Sequence, residues 1–415
     1  MEPADRLATS GALDAAPAGT LPPPAPVFGR ALRPLWPLAQ GAAFLNHGSY
    51  GAPPRAVAAV QAAHRARMEA APDAFFADLH RSGSDAPLRR VAAVFAGLWE
   101  VPTDSVALVE NATAGVSAAL ASVALAAGDE VLLSDHQYPA VRLAVAALCR
   151  RTGAVPRIVS APLPTTPAAA AERFLDGVGP RTRLAVVDHV ASASALRWPV
   201  EEMVPLLRAR GIATLVDGAH ALGHLAAAPG RIGADWYVSN AHKWLYAPRG
   251  TAALHASPEA AARLAPLQIS HFAEAGFPLA FDCLGTRDAT PWLAAPAGVA
   301  FAERLGPGVR EHCAGLMARG AERLQALGAR PLTPPDPDLR LRAFLLPEAL
   351  APGPDPAARA AARRAGLLAE GVVVYVQPFL GEVVLRLSGA PYVDAEDVDR
   401  LADAIARRAG RRAEV

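Results

Sequence analysis

Ala213-Thr214-Leu215-Val216 runs straight into Asp217-Gly218-Ala219-His220, and Trp236-Tyr237-Val238 runs into Ser239-Asn240-Ala241-His242-Lys243-Trp244. Each stretch opens as a short apolar run rich in β-branched or aromatic residues and closes on polar ones, the pattern of a buried strand with chemistry at its end. Working outward, similar runs stand at Val106-Ala107-Leu108-Val109, Glu130-Val131-Leu132-Leu133 and Leu184-Ala185-Val186-Val187, and helical text follows at 115–126 and 139–152. Strands alternating with helices predict an α/β fold with a mostly parallel sheet covered on both faces. In such sheets ligands sit beyond the carboxyl ends of the strands.

Composition narrows the function class. Of the 40 basic residues 39 are arginine and one, Lys243, is lysine; the acidic residues number 39, so the net charge is +1. That balance argues against nucleic acid or an anionic membrane as the main partner. The three cysteines, Cys149, Cys283 and Cys313, lie far apart, which excludes a disulfide scaffold and a thiolate zinc site and fits a reducing, cytoplasmic setting. Glu311-His312-Cys313 sits inside a helical pattern with no further ligands nearby, so no metal site is expected. The Ala/Ser-rich run 112–127 is too short and mild to span a bilayer, and Met1-Glu2-Pro3-Ala4-Asp5 lacks the start of a signal peptide. Residues 1–27 are rich in Ala, Pro and Gly and are expected to be disordered. Past the Pro-rich breaks at 331–338 and 352–356, helices at 309–327, 357–370 and 394–409 with strands at 372–376 and 382–387 predict a smaller α+β domain.

Each strand end offers a chemical group. Glu110-Asn111-Ala112-Thr113 opens a helix whose free N–H groups make an anion site. Ser134-Asp135-His136-Gln137-Tyr138 brings an imidazole and a phenol that can stack on a flat ligand or move protons. Asp217 puts a carboxylate at a strand terminus. Lys243 is the position where arginine cannot serve: a guanidinium stays protonated, whereas a lysine with a lowered pKa forms a Schiff base. An anion site, a carboxylate, a flat group and one lysine are what pyridoxal 5′-phosphate (PLP) requires for its phosphate, ring nitrogen, ring face and aldehyde. Glu110-Asn111-Ala112-Thr113-Ala114-Gly115 has no G-x-G-x-x-G, which argues against a dinucleotide-binding dehydrogenase.

The chain resembles the class V aminotransferases of PLP fold type I, and within them the isopenicillin N epimerase-like branch that includes hercynylcysteine sulfoxide lyases. The resemblance runs from about Phe28 to Ala409. It is carried by Asn46-His47-Gly48-Ser49, Asn111-Ala112-Thr113, Asp135-His136-x-Tyr138, Asp188-His189-Val190-Ala191-Ser192, Asp217-Gly218-Ala219-His220, Asn240-x-His242-Lys243-Trp244, Gly285-Thr286-Arg287-Asp288 and Arg386-Leu387-Ser388. It implies a large domain (66–290) with a mostly parallel seven-stranded sheet flanked by helices. A small C-terminal α+β domain (291–415) and a segment, 28–65, shared by the small domain and the active site would complete the fold. It implies that Lys243 holds the cofactor and moves the substrate α-proton, that Asp217 pairs with the pyridinium nitrogen, and that His220 lies near the phenolic oxygen. Asn111, Ala112, Thr113, Asn240 and His242 would surround the phosphate, His136 would stack on the ring, and Tyr138 would serve as a face contact or acid. Gly285 and Thr286 would reach the phosphate of a neighbouring subunit in a homodimer with shared active sites. Arg386 would grip the substrate carboxylate beside Asn46, His47 and Ser49.

Two departures from the branch stand out. Ala191-Ser192-Ala193-Ser194 replaces the usual Thr-Ser-Pro-Thr, and Cys283-Leu284 replaces Trp-Thr. Val376 to Leu385 holds no cysteine, which removes the nucleophile a cysteine desulfurase needs. The branch implies a PLP-dependent isomerase or lyase acting on an amino acid through an α-carbanion, of epimerase or C–S lyase type, with aminotransferase (transferase) chemistry as the alternative.

Overall fold

Seven strands build the large sheet of the computed structural model: β1 (Val106–Val109), β2 (Glu130–Ser134), β3 (Val155–Val159), β4 (Thr182–Asp188), β5 (Ala213–Asp217), β6 (Trp236–Asn240) and β7 (Ala252–Ala256). Residues 11–14, 16–17 and 19–408 are described. The strands run in the order β1-β7-β6-β5-β4-β2-β3. Only β7 opposes its neighbours; β6, β5, β4, β2 and β3 pair in parallel. The central strands are buried along nearly their whole length, as strands covered on both faces must be. β3 and β7 carry no strand signal strong enough to read. β3 is Val-Pro-Arg-Ile-Val, exposed at the sheet edge, where a proline costs no ladder bond. β7 is alanine-rich and buried.

Two apolar layers enclose the sheet. Helices Ala112–Ala121 and Pro139–Thr152 bring Val116, Leu120, Val145 and Leu148 onto Leu133, Val186, Leu215 and Val238. On the other face helices Pro87–Trp99 and Val200–Arg208 bring Val91, Phe95, Met203 and Leu207 onto Leu132, Val187 and Val216. The C-terminal part adds an antiparallel sheet of β8 (Arg330–Pro331), β9 (Leu341–Leu345), β10 (Tyr375–Phe379) and β11 (Glu382–Ser388), in the order β10-β11-β9-β8. Helices Gly308–Ala326, Pro356–Ala369 and Ala395–Arg408 accompany it.

The N-terminal segment belongs to that smaller core. Ala43–Phe44 pairs in parallel with Val372–Val373, and Leu32, Leu35, Trp36 and Leu45 pack with Val374, Leu385 and Leu401. The boundary expected at 65–66 falls inside helix Arg55–Ala70. Disorder up to residue 27 does not hold for the described part of that extension. Leu13 is buried in the small-domain core, with Ala12, Ala16 and Leu21 packed against it, because these apolar residues find a partner surface. Residues 1–10 of the extension lie outside the described residues.

Candidate active site

A cavity of about 290 Å³ opens at the carboxyl ends of β4, β5 and β6. Its lining includes Asp188, Asp217, Asn240 and Lys243, each at or just past the end of a central strand. Thr113 lines it from the start of helix Ala112–Ala121, and Ser49 and Tyr50 from the N-terminal segment.

Local sequence explains the placements. Asn111 stands extended before helix Ala112–Ala121 and accepts the Ala114 N–H at 2.9 Å, an N-cap that points the helix start at the cavity. Asn240 accepts the Ala112 N–H at 2.8 Å and so joins that start to the end of β6. Gly218 must be glycine, since a Cβ there would lie 2.6 Å from the Tyr237 ring. Gly51, at φ +63°, would place a Cβ 1.7 Å from the His242 carbonyl oxygen, so only glycine lets the N-terminal segment approach the Lys243 turn this closely.

Lys243 is half-buried on the wall, with Nζ 3.2 Å from His220 Nε2. Burial, with Arg386 nearby, pulls its amine down to about 7, while Asp217 opposes the fall. The amine is therefore half neutral near neutral pH, as a nucleophile needs. Asp217 is 3% exposed and accepts the Ala219 N–H at 2.9 Å. Burial raises its carboxyl, and the backbone N–H and Lys243 pull it back. Burial and the Lys243 charge hold His220 well below the usual imidazole range, so it is neutral. His242 donates Nδ1–H to the Thr251 carbonyl at 3.0 Å and is lowered to about 4, chiefly by burial.

Arg386 stands just behind the cavity wall, fully buried on β11. Its guanidinium donates to the Ser49 hydroxyl at 2.9 Å, and to the Ser192 carbonyl and hydroxyl, the latter at 3.2 Å. It also lies 4.5 Å from the centre of the Tyr375 ring. No carboxylate pairs with it among the described residues, its Nε lacks a partner, and burial lowers it to about 10. A buried cation without a counter-ion calls for an anion from outside the chain. The departure at Ser192 thus has a task, because Ser192 and Ser49 hold the arginine together.

Two expected contacts are corrected. His136 is not on the cavity wall. Its Nε2–H donates to the Ala161 carbonyl at 2.7 Å, its Nδ1 accepts from Ser194 at 2.9 Å, and its ring packs edge-on against Trp198 and Phe379. Tyr138, two residues on, lines the cavity instead, because the turn into helix Pro139–Thr152 carries it outward. His47 is likewise a strut and not a lining residue. Its Nε2–H donates to the Lys243 carbonyl at 2.8 Å and its Nδ1 accepts from the Tyr392 hydroxyl at 2.8 Å. Asn46 reaches the site only through Ser49, whose hydroxyl it accepts at 2.7 Å. Gly285 and Thr286 lie exposed on the single chain, away from its own cavity. Tyr50 and Asp188 line the cavity although neither was picked out as a site residue; both sit inside quoted motifs, which was the available signal. Two larger grooves, of about 650 and 670 Å³, have no lysine, and neither touches the ends of β4–β6. Among the described residues no three His, Cys, Asp or Glu side chains gather as a metal site, and no helix is long and apolar enough to cross a membrane.

A parallel sheet that presents one lysine, a buried carboxylate and a capped helix start in a single cavity defines an enzyme of PLP fold type I. The chain belongs to the class V aminotransferase family, whose profile matches residues 55–333. It is 36% identical to isopenicillin N epimerase of Streptomyces clavuligerus, over 87% of this chain and 93% of that protein. It is 32% identical to a putative L-cysteine desulfhydrase 1 of Oryza sativa subsp. japonica, over 69% of this chain and 62% of that protein. Its fold matches a C-DES variant with glycine covalently linked to its PLP cofactor (TM-score 0.74, 20% identity, 90% of this chain and 98% of that one).

Proposed function

We propose that this chain is a PLP-dependent enzyme that removes the α-proton of a small amino acid, with an epimerase-type or C–S lyase-type outcome. One observation carries the reading. The only lysine in 415 residues stands in the cavity, its amine lowered to about 7, with Asp217 and the start of helix Ala112–Ala121 on the same walls.

The residues fit the cofactor. His220 Nδ1 is buried without a partner at the cavity, and Ala112, Thr113, Asn240 and His242 form a neutral, donor-bearing corner suited to a phosphate. Lys243 would hold the aldehyde carbon, and Asp217 the ring nitrogen. When bound, PLP supplies an electron sink that acidifies the Cα–H of an amino acid joined to it. Arg386, reached past Ser49 and Ser192, orients the substrate carboxylate. The Lys243 amine, once free, takes the α-proton. Tyr138 is the wall residue able to return a proton to Cα or to a leaving sulfur. None of the cysteines lines the cavity, so a cysteine-borne sulfur transfer has no nucleophile here.

The finer reading is a cytoplasmic homodimer in which exposed Gly285 and Thr286 complete the partner's phosphate corner. Incubation with a panel of amino acids in deuterated water tests the reaction. Deuterium at Cα with loss of chirality marks an epimerase, and pyruvate with a released sulfur species marks a lyase. A keto acid with the aminated cofactor would overturn both in favour of transamination.

A further inference from the structure

Asp188 is the one cavity carboxylate with no task in the chemistry above. It ends β4 directly beside Asp217 on β5: the two are register partners in a parallel pair. In-register neighbours on parallel strands sit about 4.8 Å apart with side chains on the same face, so two carboxyls share one buried corner. Asp188 is 3% exposed. Its Oδ1 accepts the Gln137 side-chain amide at 2.9 Å, and its carboxyl also takes the backbone N–H of Tyr138. Its Oδ2 is buried with no partner.

Two adjacent buried carboxyls do not both ionise. Lys243 favours charge on Asp217, whereas no cation pairs with Asp188 among the described residues. We propose that Asp188 is a neutral positioning residue: it holds the Gln137–Tyr138 turn over the cavity and leaves the single negative charge of the pair on Asp217. Burial and the Asp217 charge push its carboxyl well above the usual range, in agreement. The groups facing this corner are Asp217 and His220 from the end of β5, Lys243 and His242 beyond β6, Tyr138 from the turn after β2, and Tyr237 beneath Gly218.

The inference rests on the proposed reaction for its catalytic arm and on the protein alone for its stability arm. Asp188→Asn keeps the shape, the acceptor and neutrality, and is expected to stay within about threefold of the parent in kcat and in PLP affinity. Asp188→Ala frees the turn and is expected to lower kcat about 10²-fold with less change in KM. Its bound-cofactor absorption should stay that of the parent, because Asp217 keeps its charge. If Asp188→Asn falls as far as Asp188→Ala, neutrality is wrong; if Asp188→Ala keeps full kcat, positioning is wrong.

The stability arm uses apo protein and survives failure of the PLP reading. A carboxyl raised in the folded state stabilises fully below its unfolded pKa and loses that contribution as pH rises. Asp188→Asn should therefore melt about 1–3 °C above the parent at pH 8 and show no advantage near pH 4. A lower melting temperature than the parent at pH 8 would mean that Asp188 is a charged, stabilising group, and would overturn the proposal.

Discussion

The cavity has two walls built on different terms. The Lys243 wall comes from strand ends and the turns that follow them: Asp188, Asp217, Asn240 and Lys243 are fixed by the sheet register. The opposite wall is assembled from Ser49, Tyr50, Tyr138 and Ser192 with Arg386 behind it, drawn from the N-terminal segment, two loops and the small-domain sheet. The first wall balances its own charges. The second holds a buried arginine with no carboxylate partner and leaves Tyr50 and Tyr138 exposed at 68% and 43%. The rigid wall suits a resident group, and the composite wall suits a molecule that comes and goes and brings its own anion.

Substitutions can break that contrast. Lys243→Arg keeps charge and bulk but cannot form a Schiff base, so turnover should drop by about 10⁴-fold or more with the fold unchanged by circular dichroism. The same wall predicts a pH dependence. With the Lys243 amine lowered to about 7, PLP capture by apo protein should rise between pH 6 and 8 and then level; a rise that continues toward pH 10 would mean an ordinary lysine. On the other wall, Arg386→Ala should weaken apparent amino-acid affinity by about 2–5 kcal/mol while PLP affinity holds, read by steady-state KM and cofactor titration. Asp217→Asn should invert that split, lowering kcat about 10²–10³-fold with little change in KM. The smallest effect is expected at the strut between the walls. Tyr392→Phe leaves the buried His47 Nδ1 without its donor, which should cost about 1–3 kcal/mol in denaturant unfolding and little in kcat.

The two walls also differ in how far the sequence discloses them. Asp217 and Lys243 were legible because each directly follows a readable apolar run, and Lys243 stands alone against 39 arginines. The strand alternation disclosed the layered sheet for the same local reason. β3 escaped because an edge strand tolerates Pro156 and Arg157, and β7 because alanine is a weak strand signal. The composite wall was harder. Which of His136 and Tyr138 faces the cavity depends on a one-residue turn, and His136 is drawn inward by Ala161 and Ser194, both remote in sequence. His47 looked like a pocket residue until its bonds to Tyr392 and the Lys243 carbonyl fixed it as a strut. Asp188 was passed over because its meaning lies in its register with Asp217, which no local pattern reveals.

The central claim is that Lys243 carries the cofactor. A chain with a single lysine allows an unambiguous measurement: reconstitute the protein with PLP, reduce with borohydride, digest, and map the adduct by mass spectrometry. A pyridoxyl group confined to the peptide containing Lys243, and absent from Lys243→Arg, is the predicted result. No adduct on that peptide, or equal labelling of Lys243→Arg, would contradict it.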